Sequence, residues 1–196
     1  AQSKNPAFVQ YIEKYKDLAI RQQIKYNVPA AITMAQGLLE SSAGTSELAT
    51  TANNHFGIKC TSDWQGRTVT KDDDKAGECF RCYANINDSY EDHSLFLLRP
   101  RYKSLFALPL GDYKAWAHGL KACGYATDPS YPEKLIRLIE LYDLQALTFD
   151  KNLLAGGFVS EGDTTWSEHQ SDIIAHAAQG GTRDYVYPPM EDLELY

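Results

Sequence analysis

The chain has 196 residues, 43% of them hydrophobic and 12% aromatic, which is enough apolar material for one packed core and too much for a disordered chain. Its 26 acidic and 19 basic residues give a formal charge of −7, and no clustered basic surface of the kind a nucleic-acid partner requires is visible. No apolar run approaches the roughly 20 residues of a membrane-spanning helix, and no signal peptide is visible, although Ala1-Gln2-Ser3 is a start that processing of an exported protein would leave.

Asn5-Pro6 predicts a helix start, with Asn as the cap and Pro at the first helical position. Phe8, Ile12, Tyr15, Leu18 and Ala19 mark one apolar stripe of a helix running to about Tyr26. Asn27-Val28-Pro29 breaks it, and Pro29 opens a second helix in antiparallel contact with the first. In this second helix Ala31, Ile32, Ala35, Leu38 and Leu39 recur at helical spacing, so Glu40 falls in the last turn, just before Ser41, Ser42 and Gly44. A carboxylate there faces the negative end of the helix dipole as well as apolar neighbours, and both raise its pKa. A carboxyl that keeps its proton near neutrality is a proton donor. The plainer alternative at this point is a surface glutamate that the helix tolerates.

Residues 45–54 are small and polar and read as a loop, after which 55–60 turn apolar and extended. Asn53 and Asn54 carry amides that suit either a sugar acetamido group or the backbone of a turn. Strands at 67–71 and 78–83, joined by a charged bend at 72–77, make a β-hairpin on an otherwise helical chain. Ser89, with Asp92 three residues on, signals the cap of a helix through His93, Phe96 and Leu97 that ends at Pro100. Another helix runs from about Asp112, burying Tyr113, Trp116, Ala117, Leu120 and Cys123, until Gly124 stops it. Pro132 opens a further helix with Leu135, Ile136, Leu138, Ile139 and Tyr142 on its apolar side. Beyond Leu144 the periodicity weakens, apart from a possible short helix at 171–178. Residues 1–144 therefore read as one mainly helical α+β domain with a hairpin lobe, and 145–196 as an extension without a motif.

The four cysteines are Cys60, Cys79, Cys82 and Cys123. Cys79 and Cys82 have a C-x-x-C spacing, but residues three apart on a strand point to opposite faces, and no further ligand pair accompanies them, so a zinc site is not expected. A Cys60–Cys79 disulfide is preferred, implying an oxidising compartment, and Cys82 and Cys123 either pair or remain as buried thiols. None of the five histidines has a ligand spacing, so no metal or other cofactor is expected.

An acid at a helix end opposite a hairpin rich in carboxylates outlines a cleft of the type used to cut glycosidic bonds, where one carboxyl protonates the leaving oxygen and a second assists water or stabilises the cation. Asp72, Asp73 and Asp74 supply that second group, or else form a solvated bend. Strand alternation puts Asp73 opposite to Asp72 and Asp74, which favours Asp73, with Asp74 next. Tyr125 and Tyr131 flank the break between two helices and serve either as platforms for a sugar ring or as core, and Tyr125, on a loop directly after Gly124, is favoured as the platform. Asp128 serves either the turn before Pro129 or the substrate.

Taken together, AQGLLESSAGTSELA, ANNHFGIKC, WQGRTV, ECFRCY and GYATDPSYPEKLIRLI, in this order, resemble the glucosaminidases of glycoside hydrolase family 73, the bacterial autolysin group that includes flagellar peptidoglycan hydrolases. The resemblance spans about residues 5–144. It implies a lysozyme-like helical fold with a small β lobe, cleavage after N-acetylglucosamine in peptidoglycan by a secreted or periplasmic monomer, Glu40 as general acid, Tyr125 as a catalytic tyrosine, and Asn54 and Phe56 in the N-x-F-G-x-K segment beside the substrate. Two positions depart from the pattern: Ala43 stands where many relatives have Trp, and the hairpin offers aspartates where a Glu is usual. Other activities fitting the same residues are a lytic transglycosylase, an endoglycosidase on N-glycans, and a wall-binding protein without catalysis.

Overall fold

Residues 3–150 are described by a computed structural model; the expected helix at 171–178 and the rest of the extension lie outside the described residues. Asn5 caps α1 (Pro6–Tyr26), its side chain accepting from the Ala7 amide, and Asn27 closes the helix in the left-handed region. The short link to α2 (Ala30–Ser41) folds the two helices against each other. α2 is the centre of the molecule: every residue from Ala30 to Leu38 is buried. Pro29 offers no side-chain cap, so the orphan amides at the buried start of α2 need partners from elsewhere. Gln23 Oε1 accepts from Ala30 N at 2.8 Å, and Thr148 Oγ1 accepts from Ala31 N at 3.0 Å. Thr148 belongs to α7 (Gln145–Thr148), so the packed core continues past residue 144, where the apolar periodicity fades.

Residues 45–54, read as a loop, contain a short helix α3 (Glu47–Ala52) capped by Ser46, whose side chain accepts from Ala49 N. Leu48 is its one large apolar side chain, so apolar spacing gave no warning. β1 (Thr68–Lys71) and β2 (Glu78–Arg81) pair antiparallel with Val69 opposite Phe80 and Thr70 opposite Cys79. The other edge of β2 takes up the 58–60 segment through Cys60 N to Cys79 O at 2.9 Å and Arg81 N to Ile58 O at 3.1 Å. The Cys60–Cys79 disulfide locks this arrangement, and closing a loop of this length stabilises by about 3 kcal/mol. Cys82 and Cys123 are free and only partly buried, which corrects the expectation that they pair or are fully enclosed.

α4 (Ile86–Leu97) starts four residues earlier than expected. Asn85 is its cap, accepting from Asp88 N, and Ser89 lies buried inside the helix with its hydroxyl taking the His55 amide at 3.1 Å. A 3-10 segment at Pro100–Ala107 leads to α5 (Tyr113–Ala122) and α6 (Tyr131–Leu141). Trp116, Ala117 and Leu120 of α5 and Leu135 and Ile139 of α6 enter the core, as their spacing predicts. No helix among the described residues is long and apolar enough to cross a membrane.

One core feature has no apolar signature. Lys25 and Glu91 are both fully buried and ion-paired, with Tyr26 and Gln22 also donating to the Glu91 carboxylate. Burial lowers the Lys25 pKa, and Glu91 opposes that fall. Glu91→Ala leaves the ammonium uncompensated and is expected to cost about 3–5 kcal/mol, whereas Lys25→Met with Glu91→Leu stays within about 1 kcal/mol of the parent. Urea denaturation of the two variants checks this, and equal losses in both would contradict it.

Candidate active site

Glu40 stands in the last turn of α2, where the helix leaves the core. Beyond it Ser42, Ala43 and Gly44 all adopt left-handed backbone, turning the chain sharply away. Ser41 pins the turn: its hydroxyl donates to Gly37 O at 2.6 Å and accepts from Gly44 N at 2.8 Å. Glu40 is exposed at the surface, although neighbouring protein partly desolvates its carboxyl. Gly57, at φ +64°, lies beside it, and a Cβ there would sit 3.8 Å from Glu40 Oε2.

This setting pushes the Glu40 pKa up from 4.5 to about 7. Desolvation is the main cause; the hydrogen bond from Tyr131 opposes it, the negative charge of Asp73 adds to it, and Lys134 counters weakly. The carboxyl is therefore substantially protonated near neutrality, as its helix-end position predicts.

The hairpin aspartates separate by role. Asp72 Oδ1 accepts from Gly77 N at 2.7 Å and shapes the bend. Asp74 lies 3.7 Å from Lys59 Nζ, which also pairs with Glu78 Oε1 at 2.9 Å. Asp73 is the one whose charge reaches Glu40, and it also reaches Lys59. Of the three aspartates, Asp73 alone acts electrostatically on Glu40.

Tyr125 lies on the loop after α5, half-buried, stacked on Tyr131 with ring centroids 5.8 Å apart and edge-on to His93 at 6.3 Å. Burial raises its pKa well above 10, and the charges of Tyr131 and Glu40 add to the rise. Its hydroxyl has no hydrogen-bond partner among the described residues.

Four expected substrate contacts have other duties. Asn54 is buried, with Nδ2 donating to Ile58 O and Arg81 O at 2.9 Å each and Oδ1 accepting from Ile58 N at 3.1 Å. Both amide hydrogens are used and the group is 1% exposed, so it ties the 54–58 loop to β2 and is shut off from a sugar. Phe56 is 3% exposed and stacks on His93 at 4.0 Å; it is core. Asp128 accepts from Ser130 N at 2.8 Å and from Lys134 Nζ at 2.6 Å, which holds its pKa below the usual range and gives it the turn role. Tyr131 is 3% exposed, so its ring is no platform; only its hydroxyl reaches the site, through Glu40.

Sequence spacing missed two neighbours of the acid. Gln36 is fully buried one helical turn before Glu40, and its Nε2 donates to Tyr131 Oη at 2.8 Å. A polar residue four positions before the acid in an otherwise apolar helix is the signal that could have found it. His93 Nε2 bonds Gln36 Oε1 at 2.8 Å, and nothing in the sequence announces that contact. No group of three or more His, Cys, Asp or Glu among the described residues could hold a metal ion.

Comparison with known proteins fits this site. A family profile described as mannosyl-glycoprotein endo-beta-N-acetylglucosaminidase matches residues 16–144. Exo-glucosaminidase LytG of Bacillus subtilis is 39% identical over 134 residues, covering 61% of this chain and 46% of that protein. Peptidoglycan hydrolase FlgJ of Vibrio parahaemolyticus is 31% identical over 144 residues, covering 67% of this chain and 46% of its own length. The chain thus spans about half the length of these curated relatives. The catalytic domain of the autolysin Auto from Listeria monocytogenes superposes with a TM-score of 0.62 at 29% identity, covering 75% of this chain and 90% of that one.

The raised pKa has a thermodynamic consequence. A carboxyl that titrates near 7 when folded and near 4.5 when unfolded binds its proton more tightly in the native state, so its contribution to stability is lost as pH rises through that window. Glu40→Gln is therefore expected to be more stable than the parent at about pH 8 and no different at about pH 4, read from urea midpoints. An unchanged midpoint at the higher pH would contradict a desolvated carboxyl.

Proposed function

Because the chain belongs to the glucosaminidase family of glycoside hydrolases, family 73, we propose that it cleaves the β-1,4 bond after N-acetylglucosamine in bacterial peptidoglycan, outside the cytoplasm, with Glu40 as general acid. The observation that carries this reading is the carboxyl of Glu40, held at the end of a buried helix with a pKa near 7 and exposed at the surface. In that state it donates its proton to the leaving glycosidic oxygen as the bond breaks. Asp73, across from it on the hairpin, carries the negative charge that assists water or balances the developing cation. The Tyr125 phenol, whose hydroxyl has no hydrogen-bond partner among the described residues, orients the substrate's acetamido group. The disulfide fits an oxidising compartment such as the periplasm or the exterior.

Purified cell-wall sacculi and mass spectrometry of the released fragments test the reading. Reducing N-acetylglucosamine ends are expected, at a rate that Glu40→Gln lowers about a hundredfold or more. Anhydro-muramyl ends would assign a lytic transglycosylase instead, reducing muramyl ends a muramidase, and wild-type turnover by the Gln variant would remove Glu40 from the role. The basic limb of the pH profile is expected near 7, where Glu40 loses its proton. In the same assay Asp73→Asn should reduce kcat by at least about tenfold and Asp74→Asn by much less; equal losses would contradict the assignment of Asp73.

A further inference from the structure

Behind Glu40 a line of polar groups runs through the core. His93 Nε2 lies 2.8 Å from Gln36 Oε1, Gln36 Nε2 donates to Tyr131 Oη at 2.8 Å, and Tyr131 in turn is the hydrogen-bonding group that draws the Glu40 pKa down. Gln36 and His93 are fully buried and Tyr131 is 3% exposed, so water does not compete for these groups.

Each link constrains the next. Gln36 Oε1 accepts only, so His93 must carry its hydrogen on Nε2. The opposite end of the imidazole supports the same assignment: Nδ1 is buried and has no hydrogen-bond partner among the described residues. A bare lone pair in such a place costs less than an unpaired N–H. Phe56, stacked on the ring at 4.0 Å, helps hold its plane. With Gln36 so oriented, its amide occupies an acceptor site of the Tyr131 oxygen, and the single phenolic hydrogen is left for Glu40. Turning the Gln36 amide over would reverse every bond: Tyr131 would donate to Gln36, and the proton of Glu40 would point inward at Tyr131.

We propose that His93 and Gln36 are positioning residues that keep Tyr131 a donor to Glu40, so that the catalytic proton sits on the carboxyl oxygen facing the cleft. This rests on Glu40 being the general acid. The groups facing Glu40 are Tyr131 and Lys134 from α6, Asp73 from the hairpin bend and Tyr125 from its loop; none of them fixes the direction of the Tyr131 hydroxyl. His93 itself stays neutral, since burial drives its pKa down to about 3.

Two measurements test it. In protein labelled with 15N-histidine, His93 is expected to show a protonated Nε2 and a bare Nδ1, unchanged between about pH 5 and 8. His93→Phe keeps a flat ring against Phe56 and removes only the donor. Turnover on sacculi should then show KM within about twofold of the parent, kcat lower by about ten- to a hundredfold, and a basic limb moved up by about half a pH unit or more, because Glu40 loses the hydrogen bond that favours its ionised form. His93→Gln, which restores an N–H, should recover part of both effects. A protonated Nδ1, or a folded Phe variant with the parental kcat and pH profile, would overturn the proposal. If the Phe variant does not fold, the tautomer decides. Full activity in Glu40→Gln would instead remove the general acid, an outcome separate from the tautomer result.

Discussion

From Ala30 to Leu38 no side chain of α2 reaches solvent, and the first exposed one is Glu40. A helix enclosed on every face can offer a functional group only where it ends, and here it ends at Glu40 and the left-handed turn of Ser42, Ala43 and Gly44. The same enclosure that makes α2 apolar along its length leaves the carboxyl at its tip poorly solvated, and that is why the group holds its proton near neutrality. Placement and chemistry therefore have one cause. A helix shifted by a single residue would rotate the acid by about 100° and bury it or turn it outward.

Enclosing α2 also creates a problem that the rest of the chain answers. Its first amides are remote from water, and the N-cap position is a proline with nothing to offer. Gln23 from α1 and Thr148 from α7 supply the missing acceptors. Those two residues are linked in turn, Gln23 Nε2 donating to Thr148 O at 3.1 Å. The segment after residue 144 thus takes part in holding α2 at the end far from Glu40, despite its weak apolar pattern.

What the sequence made legible was whatever repeats with a helical or strand period or follows from one residue's chemistry. The bounds of α1, α2, α5 and α6, the hairpin, the Cys60–Cys79 bridge and the helix-end position of Glu40 all come from such local signals. The failures have a common origin. Asn54, Phe56 and Tyr131 look available for substrate in a linear reading, because an amide or an aromatic ring gives no sign of which side it faces; in the fold each is enclosed by residues 27 to 95 positions away, such as Arg81 for Asn54 and Gln36 for Tyr131. The choice among Asp72, Asp73 and Asp74 had the same character. Alternation separates Asp73 from its neighbours, but only the positions of Gly77, Lys59 and Glu40 show what each of them faces.

The two halves of the site sit on separate lobes, and a single stretch of α4 connects both to the core. Consecutive helical residues point about 100° apart, so three in a row can address three different neighbours. Glu91 pairs with Lys25 and fixes α4 to α1. Asp92 takes Arg81 Nη1 at 2.9 Å and the Tyr83 hydroxyl, while Arg81 Nη2 reaches Thr61 at 2.9 Å and its Nε reaches Lys59 O at 3.1 Å, so β2 and the strand beside it are anchored together. His93 bonds Gln36 and thereby touches α2 one turn before the acid. All three residues are buried, and none is apolar. Their position within an amphipathic pattern is an anomaly that burial statistics alone would count against a helix. The anomaly resolves once each is given its partner: one turn of α4 ties together α1, β2 with the segment beside it, and α2.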